Sequence, residues 1–514
     1  MEKYDVVVVG AGNAGLSAAL QLVLAGKKTL LIEQHNLPGG CASGFRRGRF
    51  EIEPSLHELC DVGPVENPGE VRALLESYGV NNIEWVRCPD CFRVISRYSD
   101  GTPMDVVMPE GIEEFKQAME KYVPGCRAKM DELFELFDEI LAGIGYISAS
   151  NGHADSNVLK EKYPNLLRAG AYPTKKVFDA MNIPQKAQDI LSTYWAYLGV
   201  DMENLSFIHY AAMVHKYVSR GAYIPTHTSH EISVKMLERY RELGGESWFN
   251  CRAEKFLFEG DHVCGVETNM GTISCDYVLA NINSDIVYGR MIPAELVPER
   301  MKKLSTARAQ NHSARMFTAY FCCDVPYQEL GITHYNTFLM GTSDSRKEYE
   351  GMTGGFDTNE YGILLCYNVA NPKASPEGTC ICSLTTMGVP ADWDDLPMDQ
   401  YVAMKEKVVR KMLKNVKEKM GVDLTGHIEE CVTASPWTFA RYLGVPEGAV
   451  YGHEVNDWDG MMPRLMMLSS DYPVKGLRPM GADGPRGDGY SAAYICGQLM
   501  AKLALKDLAE GGNN

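Results

Sequence analysis

The sequence lacks the features of a membrane-spanning or secreted chain. No uninterrupted apolar run approaches the roughly 18 residues that a transmembrane helix needs. The first apolar segment begins directly after Met1-Glu2-Lys3, so we expect no signal peptide. These absences predict a cytoplasmic protein. They leave peripheral membrane contact open.

Basic charge and a regular cysteine framework are also missing. The chain has 50 Lys and Arg against 67 Asp and Glu, a formal charge of -17, which argues against a nucleic-acid partner. The 15 cysteines are odd in number and irregularly spaced, which indicates reduced thiols. Without repeats or low-complexity linkers, 514 residues predict two or three interleaved domains.

Metal ligands at recognisable spacing are absent too. Cys88 and Cys91 form a C-x-x-C without a second pair, and we interpret them as structural thiols. His227 and His230 have no evident third ligand, and a helix N-terminus explains that segment better. We therefore predict no metal site.

The feature that is present comes almost at once, as a strand followed by a glycine-rich turn. Tyr4–Val9 includes four consecutive valines, which is typical of a buried parallel strand. The segment Gly10-Ala11-Gly12-Asn13-Ala14-Gly15 then matches G-x-G-x-x-G, with a helix starting near Asn13. The glycines permit a tight turn, close approach to a pyrophosphate and close helix packing, and the phosphates would lie at the helix N-terminus.

An acidic residue follows at the spacing that this turn requires. The second apolar strand, Lys28–Ile32, ends at Glu33-Gln34, about 20 residues after the turn. A carboxylate there binds a ribose hydroxyl and favours FAD or NAD over a 2′-phosphate. We therefore predict a dinucleotide site rather than an ordinary glycine-rich turn.

A second glycine-rich loop follows closely, with Gly39, Gly40 and Cys41. We expect it to fold over the same cofactor, with Arg46 or Arg47 as a phosphate counter-charge. The alternative for these arginines is a solvated surface turn.

This N-terminal region resembles the FAD-dependent carotenoid desaturase and isomerase group, which includes phytoene desaturase and retinol saturase, within the amine-oxidase-like flavoproteins. In that group a P-G-G loop and an F-D-x-G-type segment follow the ribose acid. Here Phe50-Glu51-Ile52-Glu53 has Glu51 in place of Asp and Glu53 in place of glycine. The resemblance implies FAD as cofactor, and the extra carboxylates leave the substrate class open.

Two later segments carry the same resemblance. The backbone near Arg252 and Ala253 would contact the adenine end, and the strand ending at Asn281 would rejoin the cofactor sheet. Near the C-terminus, Gly481, Asp483, Gly489 and Tyr490 form a strand–turn–helix whose helix N-terminus would stabilise the reduced flavin. In that motif Asp483 would contact the ribityl chain or a phosphate.

The expected fold class is α/β, with a Rossmann-type FAD-binding domain of the GR2-like flavoprotein type and an interleaved α+β substrate domain. We assign 1–63, 214–283 and 430–514 to the FAD-binding domain, and 64–213 and 284–429 to the substrate domain. Stripes of apolar residues at helical spacing predict amphipathic helices in the first part of the substrate domain.

The expected reaction is hydride transfer at flavin N5 that saturates, desaturates or isomerises a C–C bond in an apolar, unsaturated small molecule. The titratable candidates near the flavin ring are Glu51, Glu53, His57, Tyr223 and Tyr490. Because no second G-x-G-x-x-G follows, a visiting NAD(P)H and an external redox partner both stay open as electron donors. Two alternatives are an amine oxidase and a non-catalytic prenyl- or flavin-binding chaperone.

Overall fold

The structure is a computed structural model that describes residues 3–150, 153–388, 391–454, 458–460, 464–465, 468 and 473–511. Within these ranges, no helix is both long enough and apolar enough to span a membrane.

Strands and helices are numbered separately in chain order. The strands are β1 (Tyr4–Val9), β2 (Thr29–Ile32), β3 (Phe45–Arg47), β4 (Phe50–Ile52), β5 (Leu59–Cys60), β6 (Trp85–Arg87), β7 (Phe92–Arg97), β8 (Pro103–Met108), β9 (Ala222–Pro225), β10 (Glu246–Trp248), β11 (Ala253–Glu259), β12 (His262–Thr268), β13 (Gly271–Ala280), β14 (Arg315–Cys323), β15 (Asn336–Leu339), β16 (Gly362–Cys366), β17 (Cys380–Gly388), β18 (Ile428–Ala434) and β19 (Leu477–Pro479). The helices are α1 (Asn13–Leu24), α2 (Glu70–Ser77), α3 (Ile112–Tyr122), α4 (Arg127–Ala149), α5 (Ser156–Lys162), α6 (Pro164–Ala169), α7 (Thr174–Ala180), α8 (Gln185–Leu191), α9 (Phe207–Arg220), α10 (His230–Glu242), α11 (Ser284–Ile286), α12 (Glu299–Ala309), α13 (Ser345–Thr353), α14 (Tyr367–Ala370), α15 (Ala391–Asp394), α16 (Tyr401–Met420), α17 (Pro436–Leu443) and α18 (Tyr490–Gly511).

The first sheet is built around β1, whose valines are buried on both faces. It pairs in parallel with β2 and β13, while β10 extends the sheet beyond β2 and β19 pairs with β13. The first half of β13 pairs antiparallel with β12, and β12 pairs with β11. Helix α1 packs against both α10 and α18. This parallel sheet with packed helices confirms the predicted Rossmann-type α/β fold.

The second sheet has the order β18-β14-β17-β16-β15-β7-β8. Its long central pair, β14 and β17, is antiparallel, and β14 is buried along its whole length. Apolar residues of α16 cover one face of this sheet. The opposite face contributes to a larger core that also contains α4 and α9.

The helices before β9 follow the predicted apolar stripes. Helix α3 buries Phe115 and Met119, and α4 buries a longer stripe that starts at Met130. The chain breaks between them at Pro124-Gly125, because proline cannot continue the helix and Gly125 has a positive φ of 88°.

The two sheets draw on alternating parts of the chain. The first uses strands within 4–32, 246–280 and 477–479, and the second uses strands within 92–108 and 315–434. Strand β18 crosses the boundary that we placed at residue 430. The division into two domains stays a prediction.

Candidate active site

One large cavity, of about 1410 Å³, lies against the carboxyl ends of β1 and β2 and continues past the N-terminus of α18. The predicted cofactor residues that line it are Gly10, Gly12, Asn13, Ala14, Glu33, Gln34, Gly39, Gly40, Cys41, Arg252, Ala253, Asn281, Gly481, Asp483, Gly489 and Tyr490. These residues come from three distant parts of the sequence. Only the fold brings them to one wall.

The glycine turn has the close backbone contacts that the motif requires. Gly10 has a positive φ of 95°, and a β-carbon on Gly15 would lie 1.8 Å from the Gly10 carbonyl oxygen. Gly15 is therefore a packing glycine and does not line the cavity. Gly12 precedes α1 as its N-cap and supplies no side-chain acceptor, so the first amides of α1 are left for a ligand.

Glu33 holds the turn from the neighbouring strand. One carboxylate oxygen accepts a hydrogen bond from the Ala11 amide at 2.7 Å, and the other accepts one from the His35 amide at 2.8 Å. The side chain also lines the cavity, where its remaining lone pairs can accept ribose hydroxyls. Gln34 is exposed at the rim beside it.

The second glycine loop lies directly on the first. Gly12 and Gly39 form an isolated parallel bridge, and the Gly39 amide donates to the Ala11 carbonyl at 2.8 Å. Gly39 has a φ of 119°, and a β-carbon there would lie 2.6 Å from the Ala42 carbonyl oxygen. Burial raises the pKa of the neighbouring Cys41 thiol to about 11, so this thiol is protonated at neutral pH.

The structure does not place Arg46 as a phosphate counter-charge. Its side chain is 80% exposed on β3 and pairs with Glu51 at 3.4 Å, outside the large cavity. Side chains alternate between the two faces of a strand, so Arg47 is the residue of this pair that reaches the cavity.

Asn281 joins the two cofactor motifs at the end of β13. Its amide nitrogen lies 3.0 Å from the β-carbon position of Gly12, and its amide oxygen lies 2.4 Å from that of Gly481. A β-carbon at Gly481 would overlap with Asn281, and one at Gly12 would be in tight contact with it. Arg252, just before β11, and Ala253, its first residue, also line the cavity. The Arg252 guanidinium pairs with Glu254 at 2.9 Å.

The carboxylate of Asp483 is occupied by protein groups. It accepts hydrogen bonds from the His453 ring at 2.6 Å and from the Ser284 amide, and it lies 4.0 Å from Arg308. Burial would raise its pKa, but the Arg308 guanidinium and the hydrogen bonds from His453 and the Ser284 amide hold the pKa well below its usual range. Asp483 therefore lines the cavity as a fixed anion, and we do not assign its carboxylate to a direct ribityl or phosphate contact.

Helix α18 begins at the cavity wall. Gly489, with a φ of 96°, leads into it, and the Ala493 amide donates to the Gly489 carbonyl at 2.9 Å. The amides of the first turn and the positive end of the helix dipole therefore face the cavity. The Tyr490 hydroxyl is used inside the protein, because it bonds to the Ser55 hydroxyl at 2.9 Å.

Three predicted catalytic residues do not line the large cavity. Glu51 and Glu53 line a separate cavity of about 340 Å³, and Tyr223 is buried on β9 opposite Leu59. Glu53 accepts hydrogen bonds from the amides of Ser55, Leu56 and Ser229. It therefore fixes the start of α10 and lies outside the large cavity. Sequence alone could not separate this role from catalysis, because the donor Ser229 is far away in the chain.

His57 lines the cavity, and its predicted place near a flavin ring stays a prediction. It lies beside a residue that the sequence analysis missed. Burial lowers the pKa of the His57 ring to about 4, so the ring is neutral at pH 7. Glu58 follows it and also lines the cavity. Burial raises the pKa of Glu58 to about 8, although hydrogen bonds from Tyr197 and Asn336 oppose that rise. Glu58 is therefore a protonated carboxyl group at neutral pH.

The partners of Glu58 explain why it was missed. The Tyr197 hydroxyl donates to Oε1 at 2.8 Å, and the Asn336 amide donates to the same oxygen at 2.9 Å and to Oε2 at 3.3 Å. Tyr197 lies in a 3-10 turn after α8, and Asn336 begins β15. No local sequence pattern connects either residue with Glu58. The only sequence signal is a carboxylate next to His57.

The wall of the cavity away from the glycine turns is aromatic and aliphatic. Its members include Leu141, Ile144, Tyr197, Met213, Tyr217, Met316, Tyr320, Phe439, Val450 and Tyr451. Side chains of α4, α9, β14 and α17 thus form an apolar chamber that is continuous with the nucleotide-type wall. Such a lining suits an apolar molecule with few polar groups.

Charged residues on one side of the chamber form a network of ion pairs. Lys216 pairs with Asp61 at 2.5 Å and with Glu70 at 2.9 Å, while Arg220 also pairs with Asp61 at 2.7 Å. Arg486 completes the network through Glu70 at 2.5 Å. Three cations and two carboxylates therefore form one polar margin of the chamber, with one positive charge in excess.

Sequence comparison identifies relatives across most of the chain. A family model described as an NAD(P)-binding Rossmann-like domain matches residues 8–74. All-trans-retinol 13,14-reductase of Rattus norvegicus is 22% identical over 526 residues, which cover 94% of this chain and 82% of the rat protein. A 1-hydroxycarotenoid 3,4-desaturase of a Flavobacterium species is 22% identical over 476 residues, which cover 88% of this chain and 89% of that protein.

Solved structures share the fold. An oxidoreductase from Methanosarcina mazei matches with a TM-score of 0.66 at 14% identity, over 97% of this chain and 100% of that one. Cyclohexylamine oxidase from Brevibacterium oxydans matches with a TM-score of 0.64 at 12% identity, over 99% of both chains. At these identities the structures establish the architecture alone. The sequence relatives, which match over most of the chain, make this protein similar to the carotenoid desaturase and retinol saturase-like oxidoreductases, in agreement with the resemblance of its glycine-rich motifs.

Proposed function

We propose that this protein is an FAD-dependent oxidoreductase that saturates, desaturates or isomerises a C–C bond in an apolar, unsaturated molecule such as a retinoid or carotenoid. The observation that carries the proposal is the continuity of the cavity. A nucleotide-type wall, with Gly12 and Glu33, and an apolar chamber, with Tyr197 and Tyr217, belong to the same 1410 Å³ space. The activities named for the sequence relatives support the choice of reaction.

The residues present fit FAD. A β-carbon at Gly12 would approach Asn281, and one at Gly15 would collide with Gly10. Because both positions are glycine, the turn stays tight and a ligand can approach its backbone closely. The first amides of α1 suit the pyrophosphate, Glu33 suits the adenosine ribose, and the backbone at Arg252 and Ala253 suits the adenine. These assignments rest on the shape and donor set of the wall.

When bound, FAD would supply hydride chemistry at its N5 atom. The positive end of α18 would stabilise negative charge that develops beside Tyr490 during reduction. The apolar chamber would orient the substrate and exclude water. The neutral ring of His57 and the fixed anion of Asp483 would shape the wall without exchanging protons at neutral pH.

Glu58 is the proposed proton donor for saturation. Its Oε1 already accepts hydrogen bonds from Tyr197 and Asn336, whereas its Oε2 has the single longer contact to Asn336 at 3.3 Å. The acidic proton is therefore best held at Oε2. A carboxyl group that stays protonated up to a pH of about 8 can transfer a proton to the substrate carbon that does not receive the hydride.

The test is flavin content followed by substrate specificity. The purified protein is reconstituted with FAD. Its reduced form is mixed anaerobically with all-trans-retinol and with a carotene, and its oxidised form is mixed with a carotene and with alkyl amines. We expect stoichiometric FAD and reoxidation by a polyene, with loss of one double bond in the product, or isomerisation of the polyene.

Each other outcome overturns the proposal. Failure to bind FAD would remove its basis. Oxidised FAD that is reduced by amines and unresponsive to polyenes would indicate an amine oxidase. Bound FAD that reacts with neither class would indicate a non-catalytic chaperone.

The proposed reaction also needs an electron donor and access to an apolar substrate. We infer that NAD(P)H or an external redox protein delivers electrons. A cytoplasmic location with peripheral membrane contact would give access to an apolar substrate. Steady-state assays with NADH, NADPH and an artificial one-electron donor would distinguish the donors.

A further inference from the structure

We infer that Asp285, His312 and His453 form a binding site for a divalent transition-metal ion. None of these three residues lines the large cavity, although Asp483, which holds His453, does. One carboxylate oxygen of Asp285 and one ring nitrogen from each histidine lie within 4.8 Å of one another. His312 and His453 face each other across an isolated antiparallel bridge, which fixes their backbones.

The distances suit a small ion with nitrogen and oxygen ligands. Asp285 Oδ2 lies 3.2 Å from His312 Nε2. A tetrahedral ion with bonds of 2.0–2.1 Å separates its ligands by about 3.3 Å. The two imidazole rings are 5.4 Å apart between centroids and inclined by 32°, which lets both nitrogens approach one point. Two histidines and one carboxylate are a recurrent ligand set for zinc and iron(II), with a remaining position for water.

The unpartnered ring nitrogen of His453 is an independent indication of a metal ligand. Its ring is fully buried, and within the described part of the chain its Nε2 atom has no hydrogen-bond partner. The other ring nitrogen, Nδ1, bonds to Asp483 Oδ1 at 2.6 Å. Because a carboxylate accepts at Nδ1, the proton lies there and Nε2 presents a lone pair. A buried lone pair without a donor is costly, and a metal ion would satisfy it.

Both histidines have the outer carboxylate that orients metal-binding imidazoles. His453 has Asp483, and His312 Nδ1 lies 3.5 Å from Glu447 Oε2. Glu447 is itself held by Arg315 at 2.5 Å. Carboxylate–histidine–metal arrangements of this kind fix the ring tautomer and raise the basicity of the ligand. The surroundings therefore prepare both rings for coordination.

An ion can reach the site from one side. The side chains of Asp285 and His312 are 10% and 9% exposed, whereas His453 is enclosed. The bound ion would connect α11, the segment before β14 and the segment after α17. These segments are far apart in the sequence, which is why no ligand spacing predicted the site.

The test is metal binding to the full-length protein. The purified protein is analysed for metals, stripped with a chelator and titrated with Co²⁺ and then Zn²⁺. We expect one equivalent of metal per chain, visible Co²⁺ d–d bands that Zn²⁺ removes, and a rise in Tm on metal addition.

Variants locate the site. His312→Gln should weaken Co²⁺ binding by at least 100-fold, and Glu447→Gln should weaken it about 10- to 100-fold. His427→Gln is the matched control, because His427 also pairs with an aspartate, at 3.2 Å, but on the surface. Its binding should equal that of the wild type.

Two results would overturn the inference. The first is a wild-type chain that binds neither Co²⁺ nor Zn²⁺ stoichiometrically, which would leave His312 as a simple ion-pair partner of Asp285. The second is unchanged binding in His312→Gln. That variant changes a ring at the open side of the site, and circular dichroism would confirm that it folds.

Discussion

The carbonyl oxygen of Ala14 lies 2.1 Å from the position that a β-carbon on Gly497 would occupy. Helix α1 near the N-terminus of the chain and helix α18 near its C-terminus therefore pack backbone against backbone. This contact places the N-termini of both helices beside the same cavity. The proposed FAD site thus depends on a glycine that belongs to neither glycine-rich turn.

Gly497→Ala should destabilise the protein and separate the two helices. The added methyl group meets the backbone of Ala14, which cannot rotate away, so we expect a loss of about 1–3 kcal/mol. Urea denaturation measures the loss. Gly145→Ala is the control, because Gly145 lies in α4 with nothing within 4 Å of its β-carbon position, and there alanine should be neutral or slightly stabilising. Equal effects of the two substitutions would contradict the packing role.

Glu33→Gln should weaken FAD binding. The amide keeps the shape of the side chain but removes a charged acceptor for ribose hydroxyls, and bonds to charged groups contribute about 1.5–3 kcal/mol. Flavin titration followed by fluorescence should show a Kd about 10- to 100-fold higher. Glu259→Gln, at the end of β11 and outside the cavity, should bind as the wild type does. An unchanged Kd in Glu33→Gln would argue against its ribose contact.

Glu58→Gln should lower kcat for polyene saturation about 10²- to 10⁴-fold, the usual contribution of a positioned proton donor. In the wild type, saturation should decline as the pH rises through the Glu58 pKa of about 8, because the donor loses its proton. That limb of the pH profile should be absent from the residual activity of Glu58→Gln. A profile that kept the same limb would exclude Glu58 as the donor.

Glu454→Gln is the matched control for this substitution. Glu454 also accepts a hydrogen bond from a tyrosine hydroxyl, that of Tyr349 at 2.8 Å, but it does not line the cavity. Its kcat and pH profile should equal those of the wild type.

His57 should make stability pH-dependent on the acidic side. Its folded pKa of about 4 is below the unfolded value of 6.5, so the unfolded chain binds more protons between these values. The stability contributed by the neutral ring is therefore present above pH 6.5 and is lost as the pH falls through about 4. The free energy of unfolding of His57→Gln should change less than that of the wild type across this window. Parallel curves from urea denaturation at several pH values would contradict the shift.

The sequence by itself determined the elements that depend on local chemistry. Four consecutive valines specify a buried strand, and Gly10, Gly12 and Gly15 specify the turn after it, because both patterns act over a few residues. Glu33 was predictable for the same reason, since a fixed βαβ spacing places an acidic residue beside the glycine turn. The resemblance then predicted the kind of relatives that sequence comparison finds and the strand–turn–helix near the C-terminus.

Tertiary structure alone decided what the buried carboxylates and histidines do. Glu53 and Glu58 are five residues apart, yet Ser229 makes the first a fixed anchor, whereas Tyr197 and Asn336 hold the second at the cavity, where burial keeps it protonated. The ring of His453 is held by Asp483, whose carboxylate bonds to its Nδ1 atom. Such roles are set by desolvation and by partners 30 to 278 residues away in the chain, and a linear pattern contains neither.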